Sequence, residues 1–289
     1  MPGPIDLHAH SSVSDGTETP AELIAAADAA GLSAVAITDH DSTAGWDEAI
    51  TAASGTGLTL VPGMEMSTQL DYASVHVLAY LFDPTNAALM EETARVRKER
   101  LTRAESMVRR ISADYDLAWD DVLEQARGTT VGRPHIADAL VARGIVTDRS
   151  AAFATILHWR GGYYRPHYAP TPLTGVRLIT EAGGVAVIAH PGAAGAARVL
   201  TDDVVSQLVD AGLAGFELHH RDNPPEQRER LQRLADRYGL ITTGSSDYHG
   251  TGKPNRLGEN STTQEMLERI VDRATGTAPF RSEPRAATE

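Results

Sequence analysis

An α/β architecture, with parallel strands closed into a barrel or laid in an open sheet, follows from two features of this sequence. Short β-rich runs alternate with helical stretches towards both ends of the chain, and most of the chemically distinctive residues fall just after those runs. A third feature interrupts the rhythm: from about Asn86 to Ile156 the pattern is helical, with no convincing strand signal.

Residues 5–7 read as a strand leading into His8. Thr19 as N-cap, Pro20 at the first helical position and Glu22 three residues after the cap predict a capping box, and Gly31 ends that helix. A second strand is expected over 34–38 and a helix over 47–53, followed by strands over 58–61 and 75–80. The alternation returns with helices over 174–182, 203–211 and 225–238 and strands over 185–189, 215–218 and 240–243. A terminal helix over 264–275 and a loose tail after Phe280 complete the reading. The division expected is a barrel or sheet unit of residues 1–85 and 170–289, interrupted by a helical insertion of residues 86–169. Within that insertion, residues 95–110 are locally basic in an acidic chain. Such a run is either a solvated helix face or a helix leaning over the site to attract an anion.

Composition narrows the function. The chain has 289 residues, enough for one large domain or two smaller ones. It has no cysteine, which excludes disulfides and thiolate metal ligands. No apolar run approaches the roughly 20 residues a membrane helix needs. The N-terminus lacks the basic and apolar regions of a signal peptide, so a cytoplasmic location and no membrane partner are expected. The formal net charge of −13 argues against binding long duplex nucleic acid, which relies on Lys and Arg to neutralise phosphates. A small anion is still possible, because bound metal ions invert the local charge.

The histidines and acids carry the chemistry. His8 and His10 end the first strand, Asp15 lies in the loop beyond it, and His40 follows the second strand. Glu65 follows the third strand, His76 lies in the fourth, His190 follows a later one, and Asp247 and His249 follow the last. The C-terminal ends of strands are where a βα barrel builds its active site, so distant residues converge there. His8 and His10 at i and i+2 share a strand face and can hold one metal together; Asp247 and His249 repeat the spacing. Imidazole and carboxylate ligands suit Mn, Fe or Zn rather than Ca. The array is too rich for one tetrahedral ion and implies two to three divalent transition-metal ions. Their role would be to activate a bound water as a nucleophile.

The elements DLHAHSSVSDG, AITDHD, GMEMS, VHVLAY, AHPG and GSSDYHG, in that order, resemble the PHP family, named for polymerase and histidinol phosphatase. The resemblance implies a distorted (β/α)7 barrel and a trinuclear site. His8, His10, Glu65 and Asp247 would hold one metal. Glu65 would bridge to a second, held also by His76 and His190, and Asp15, His40 and His249 would hold the third. Manganese is the first expectation, with Fe or Zn as alternatives. Glu65, His190 and Asp247 are the expected catalytic residues.

The branch with a helical insertion is the most similar, and it includes nucleoside 3′,5′-bisphosphate phosphatases and enzymes that trim short RNA from its 5′ end. Small phosphorylated nucleotides or short 5′-phosphorylated RNA are therefore the expected substrates, with no obligate protein partner. The substrate contacts expected are Arg133 and His135 at a helix start, His220 after a strand, and Arg160. Arg133 offers a bidentate donor at a favourable dipole end. Tyr163 or Tyr164 could stack on a base. The rival readings are a histidinol-phosphate phosphatase, an amidohydrolase-like deaminase, and a non-catalytic metal-binding module. The last would be expected to lack ligands, and none of the expected ones is missing.

Overall fold

Strand formation begins with β1 (Ile5–Ala9), then α1 (Pro20–Ala29), β2 (Ala34–Ile37), α2 (Trp46–Ala53), β3 (Thr59–Leu70) and β4 (Ala73–Tyr80). The helices α3 (Ala87–Ile111), α4 (Trp119–Ala126), α5 (Arg133–Ala142) and α6 (Arg149–Ala154) follow without a strand between them, then α7 (Pro172–Glu181). The chain returns to the sheet with β5 (Val185–Ile188), α8 (Ala194–Val199), α9 (Asp202–Asp210), β6 (Gly215–His219), α10 (Pro225–Tyr238) and β7 (Ile241–Gly244). It finishes with α11 (Gln264–Arg273) and β8 (Phe280–Arg281). This computed structural model describes residues 3–126 and 130–281.

The strands run in the order β1-β2-β3-β4-β5-β6-β7, with β8 paired to β3. Two backbone hydrogen bonds bring the ends together: the His10 N–H donates to the Tyr248 carbonyl at 2.8 Å, and the Tyr248 N–H to the His8 carbonyl at 3.3 Å. The result is a nearly closed seven-stranded barrel, as the sequence resemblance implied.

Within the seven-stranded barrel, one strand departs from the parallel rule; the short β8 outside it also pairs antiparallel with β3. β4 pairs antiparallel with both β3 and β5, whereas β1-β2-β3 and β5-β6-β7 are parallel. The cause is local: Asp71 and Tyr72, the two residues between β3 and β4, both have positive φ (46° and 62°). That is the geometry of a tight primed turn, which matches strand twist and folds the chain straight back. β3 is also longer than expected, so Glu65 lies inside it rather than after it. Because β4 runs in reverse, its N-terminal half reaches the barrel mouth and carries His76 there, opposite Ser67.

Alternate strand residues feed two apolar clusters. Val35, Ile37, Leu60, Ile188 and Phe216 pack with Leu23, Ile24, Ile179 and Leu231 of the surrounding helices. Leu7, Val61, Leu78, Tyr80, Val187 and Ile241 form the other, together with Leu267 and Ile270 of α11. The segment from α3 to α6 has an apolar cluster of its own, including Met107, Ile111, Ile136, Leu140 and Leu157. Arg281, the first residue of the tail expected to be loose, still pairs with Thr59; residues 282–289 lie outside the described residues. Among the described residues no helix is long and apolar enough to cross a membrane.

The predicted capping box is present. The Glu22 N–H donates to Thr19 Oγ1 at 3.2 Å, and the Thr19 N–H donates to Glu22 Oε2 at 2.8 Å. Thr19→Ala removes one half of this exchange and should destabilise the fold by about 1 kcal/mol in a urea titration. An unchanged midpoint would show that the α1 terminus is satisfied by water alone.

Candidate metal centre and substrate pocket

Two slips in strand register aim side chains at the barrel mouth. Between Asp6↔Val35 and Ala9↔Ile37, β1 holds one residue more than β2; the β6–β7 register also shifts, between Glu217 and His219. Such bulges rotate the following side chains onto a new face. Leu7 therefore packs in the apolar cluster while His8 and His10 turn to Glu65 and Asp247. Asp41, His190 and Asp247 hold φ of 53°, 31° and 54°, a region L side chains seldom occupy. Strain of this kind persists only where neighbours enforce it. Here the His190 N–H donates to Glu217 Oε2 at 2.8 Å, Ser67 bonds Asp41, and Asn255 Nδ2 donates to the Ser246 and Asp247 carbonyls.

Glu65 lies at the centre, and its two oxygens face different partners. Oε1 is 2.7 Å from His76 Nδ1 and 3.2 Å from His190 Nε2. Oε2 is 3.3 Å from His8 Nε2, 3.1 Å from His10 Nε2 and 3.2 Å from His40 Nδ1. Asp247 Oδ1 lies 3.5 Å and 3.4 Å from the same two nitrogens of His8 and His10. Asp15 faces His249 at 3.3 Å and His40 at 3.7 Å.

These spacings fit metal ions. Ligands at 2.0–2.2 Å from a tetrahedral ion stand about 3.4 Å apart, close to the separations seen around His8, His10, Glu65 and Asp247. Three groups bring their donor atoms within 4.8 Å of one another: His8, His10, Glu65 and Asp247; His10, Asp15, His40 and His249; and His40, Glu65 and His76. The first matches the expected set. The second adds His10 to an expected trio, and the third has His40 where His190 was expected, although His190 remains against Glu65. His40 Nδ1 and His249 Nε2 are buried without a hydrogen-bond partner, and His8 Nε2 faces His10 Nε2 at 3.0 Å. Lone pairs confined in this way call for a cation between them.

Burial alone would raise the Glu65 carboxyl, but His40, His76 and His8 outweigh it and hold it well below the usual range. Asp15 and Asp247 are held low against the same burial penalty, Asp15 chiefly by His249 and His40 and Asp247 chiefly by Lys253 and His249. The carboxylates are thus ready in the charged form that metal binding requires.

Several supporting residues were not singled out in the sequence. Glu217, fully buried, accepts from His8 Nδ1 at 2.8 Å as well as from the His190 N–H; burial alone would raise its carboxyl, but His8 and His220 outweigh that and hold its pKa at about 2. Its only sequence signal is an acid in the middle of an apolar strand. Asp39 gathers Ser11 and Ser14, and Asp41 gathers Ser67.

A cavity of about 450 Å³ opens above the cluster, lined by Asp15, His40 and His76 on one side and by Arg100, Arg103 and Arg133 on the other, with Tyr164, His167 and Lys253. Part of the basic run in α3 therefore does face the site. Arg100 donates to Ser67 Oγ at 2.7 Å, and Arg103 bonds His167 at 3.1 Å. Among the described residues neither Arg103 nor Arg133 has a carboxylate within ion-pair distance. Burial, with Arg100 and Arg133 nearby, lowers the Arg103 pKa to about 9.

The other expected substrate contacts are dispersed. His135 is buried and accepts from the Gly132 N–H at 3.0 Å; it lines an adjoining cavity of about 660 Å³. Arg160 is exposed and lies over the Trp159 ring, 4.5 Å from its centroid, away from the cavity. His220 is buried 5.3 Å from the His190 ring and 4.0 Å from Asp247, beside the metal cluster rather than among the arginines. Tyr163 turns outward to Asp114 at 2.7 Å, whereas Tyr164 lines the cavity.

Imidazoles and carboxylates gathered at the mouth of an α/β barrel, beneath an arginine-lined cavity, define a metal-dependent phosphoesterase. Residues 6–125 match the PHP domain. A 3′,5′-nucleoside bisphosphate phosphatase of Chromobacterium violaceum is 34% identical over 259 residues, covering 87% of this chain and 89% of the relative. A 5′-3′ exoribonuclease of Haemophilus influenzae is 32% identical over 259 residues, covering 88% and 93%. The solved structure of a Bifidobacterium adolescentis protein assigned as a metal-dependent phosphoesterase has a TM-score of 0.92 at 45% identity, covering 94% of this chain and 97% of that one. The chain belongs to the PHP family.

Glu217 orients His8 from behind, so Glu217→Ala should weaken metal affinity about 10- to 100-fold, read by competition with a chelator. Wild-type affinity in a folded variant would show that His8 is oriented by its backbone alone.

Proposed function

We propose that this enzyme removes the 3′ phosphate from nucleoside 3′,5′-bisphosphates, trims short 5′-phosphorylated RNA, or does both, in the cytoplasm. The observation that supports the reading is the cavity in which Arg103 and Arg133, without carboxylate partners, face the metal cluster. The metals hold the phosphate that reacts, so separate guanidiniums imply a second anion on the same substrate. Histidinol phosphate fits less well, because its ammonium would meet those guanidiniums.

In this reading His8, His10, Asp15, His40, Glu65, His76, His190, Asp247 and His249 hold two to three divalent ions, Mn first and Fe or Zn as alternatives. Bound there, the ions would neutralise phosphate oxygens and lower the pKa of water. Glu65 keeps two groups of imidazoles at fixed separation through its two oxygens. His190 is held at the mouth by Glu217, and Asp247 carries Lys253 at 2.6 Å, placing one more cation beside the cavity. Residues 1–85 and 170–289 would supply the ligands, and the insertion of residues 86–169 the arginines. Binding energy from the remote phosphate would position the scissile one. Long duplexes would be repelled by the −13 charge.

The test compares kcat/KM for a nucleoside 3′,5′-bisphosphate and its two monophosphates in wild type and Arg133→Ala. Losing one charged contact should cost about 1.5–3 kcal/mol, roughly 10- to 150-fold, on the bisphosphate and much less on the 3′-monophosphate. An unchanged ratio would assign the arginines to structure and favour a generic phosphatase.

A further inference from the structure

We infer that Tyr72 is the platform on which the substrate's base stacks, an inference that rests on the nucleotide reading above. Tyr72 forms the second residue of the β3–β4 turn, where φ is +62°. Glycine or asparagine suits that position; a bulky aromatic is strained there. The ring gains no packing in return. It is 90% exposed, the most exposed large hydrophobic side chain among the described residues. A strained and unpacked aromatic is costly to the free protein, and Tyr72 lines the cavity that His76, Arg103 and Arg133 also line.

The turn is fixed rather than free. Arg198 Nη2 donates to the Asp71 carbonyl at 3.0 Å, and the Gln69 N–H donates to the Pro170 carbonyl at 2.8 Å. The same antiparallel arm carries Glu65 and His76 at its base and Tyr72 at its tip, so the ring stands a set distance from the metal cluster. Four residues of extended chain from His76 to Tyr72 span at most about 14 Å. The arginines occupy the insertion side of the cavity and the ring the hairpin side. A nucleotide with its phosphates on the metals and guanidiniums would thus direct its base towards the hairpin. Every base presents a π face, so such a platform distinguishes nucleotides from other phosphate esters without selecting one base.

The experiment measures kcat and KM for wild type, Tyr72→Phe and Tyr72→Asn on adenosine and uridine 3′,5′-bisphosphates and on the base-free ribose analogue. Asparagine tolerates the left-handed turn, so it removes the ring without adding strain. Tyr72→Asn should lower kcat/KM roughly 5- to 150-fold on both nucleosides, mainly through KM, and leave the base-free analogue unchanged. Tyr72→Phe should behave as wild type. Equal losses on all three substrates, or no loss, would overturn the inference. Wild type cleaving the base-free analogue as well as the nucleosides would defeat stacking alone; wild type cleaving none of them would defeat the nucleotide reading with it.

Discussion

The whole barrel mouth is organised around one buried carboxylate. Glu65 meets His76 and His190 through one oxygen and His8, His10 and His40 through the other. A buried charge is tolerable only when it is paired and hydrogen-bonded, and these partners come from strands distant in sequence. The irregularities of the fold follow from meeting that demand. The β1 bulge turns His8 inward, the reversed β4 brings His76 to the mouth, and left-handed backbone at His190 and Asp247 aims those side chains across the barrel. Sequestering so many lone pairs without a cation would be unfavourable, so metal binding and folding of the mouth are parts of one equilibrium.

The division of labour across the site follows from charge. The barrel supplies carboxylates and imidazoles, which suit cations. The helical segment supplies Arg100, Arg103 and Arg133, which suit anions. An acidic protein can thus hold an anionic substrate, because several of its positive charges are gathered in one cavity. Burial lowers the Arg103 and Arg133 pKa values, and a bound phosphate would relieve the repulsion between neighbouring guanidiniums.

Much of this was legible in the sequence, for identifiable reasons. The spacing of His8 with His10 and of Asp247 with His249 reflects strand periodicity, and the cap at Thr19 follows from local chemistry. Direction was not legible: periodicity in 75–80 marks a strand but does not say which way it runs, and only the turn at Asp71 and Tyr72 reveals the reversal. Bulges were equally hidden, because one extra residue leaves no compositional trace. In the sequence Glu217 is one acid in an apolar strand, with nothing to mark its contacts with His8 and His190. Arg100 and Arg103 were concealed in a basic run whose members face several directions. The element at Gly132-Arg133-Pro134-His135 was correctly read as a helix start, yet the helix sends Arg133 to the cavity and turns His135 back to cap it.

The most direct test of the account is metal content and turnover in protein purified without chelator, wild type beside Glu65→Gln. Two to three transition-metal ions per chain are expected in wild type, with loss of more than one ion and of turnover in Glu65→Gln. Trace metal in wild type, together with phosphoesterase activity that survives chelator, would contradict the account, as would a Glu65→Gln variant with near wild-type kcat.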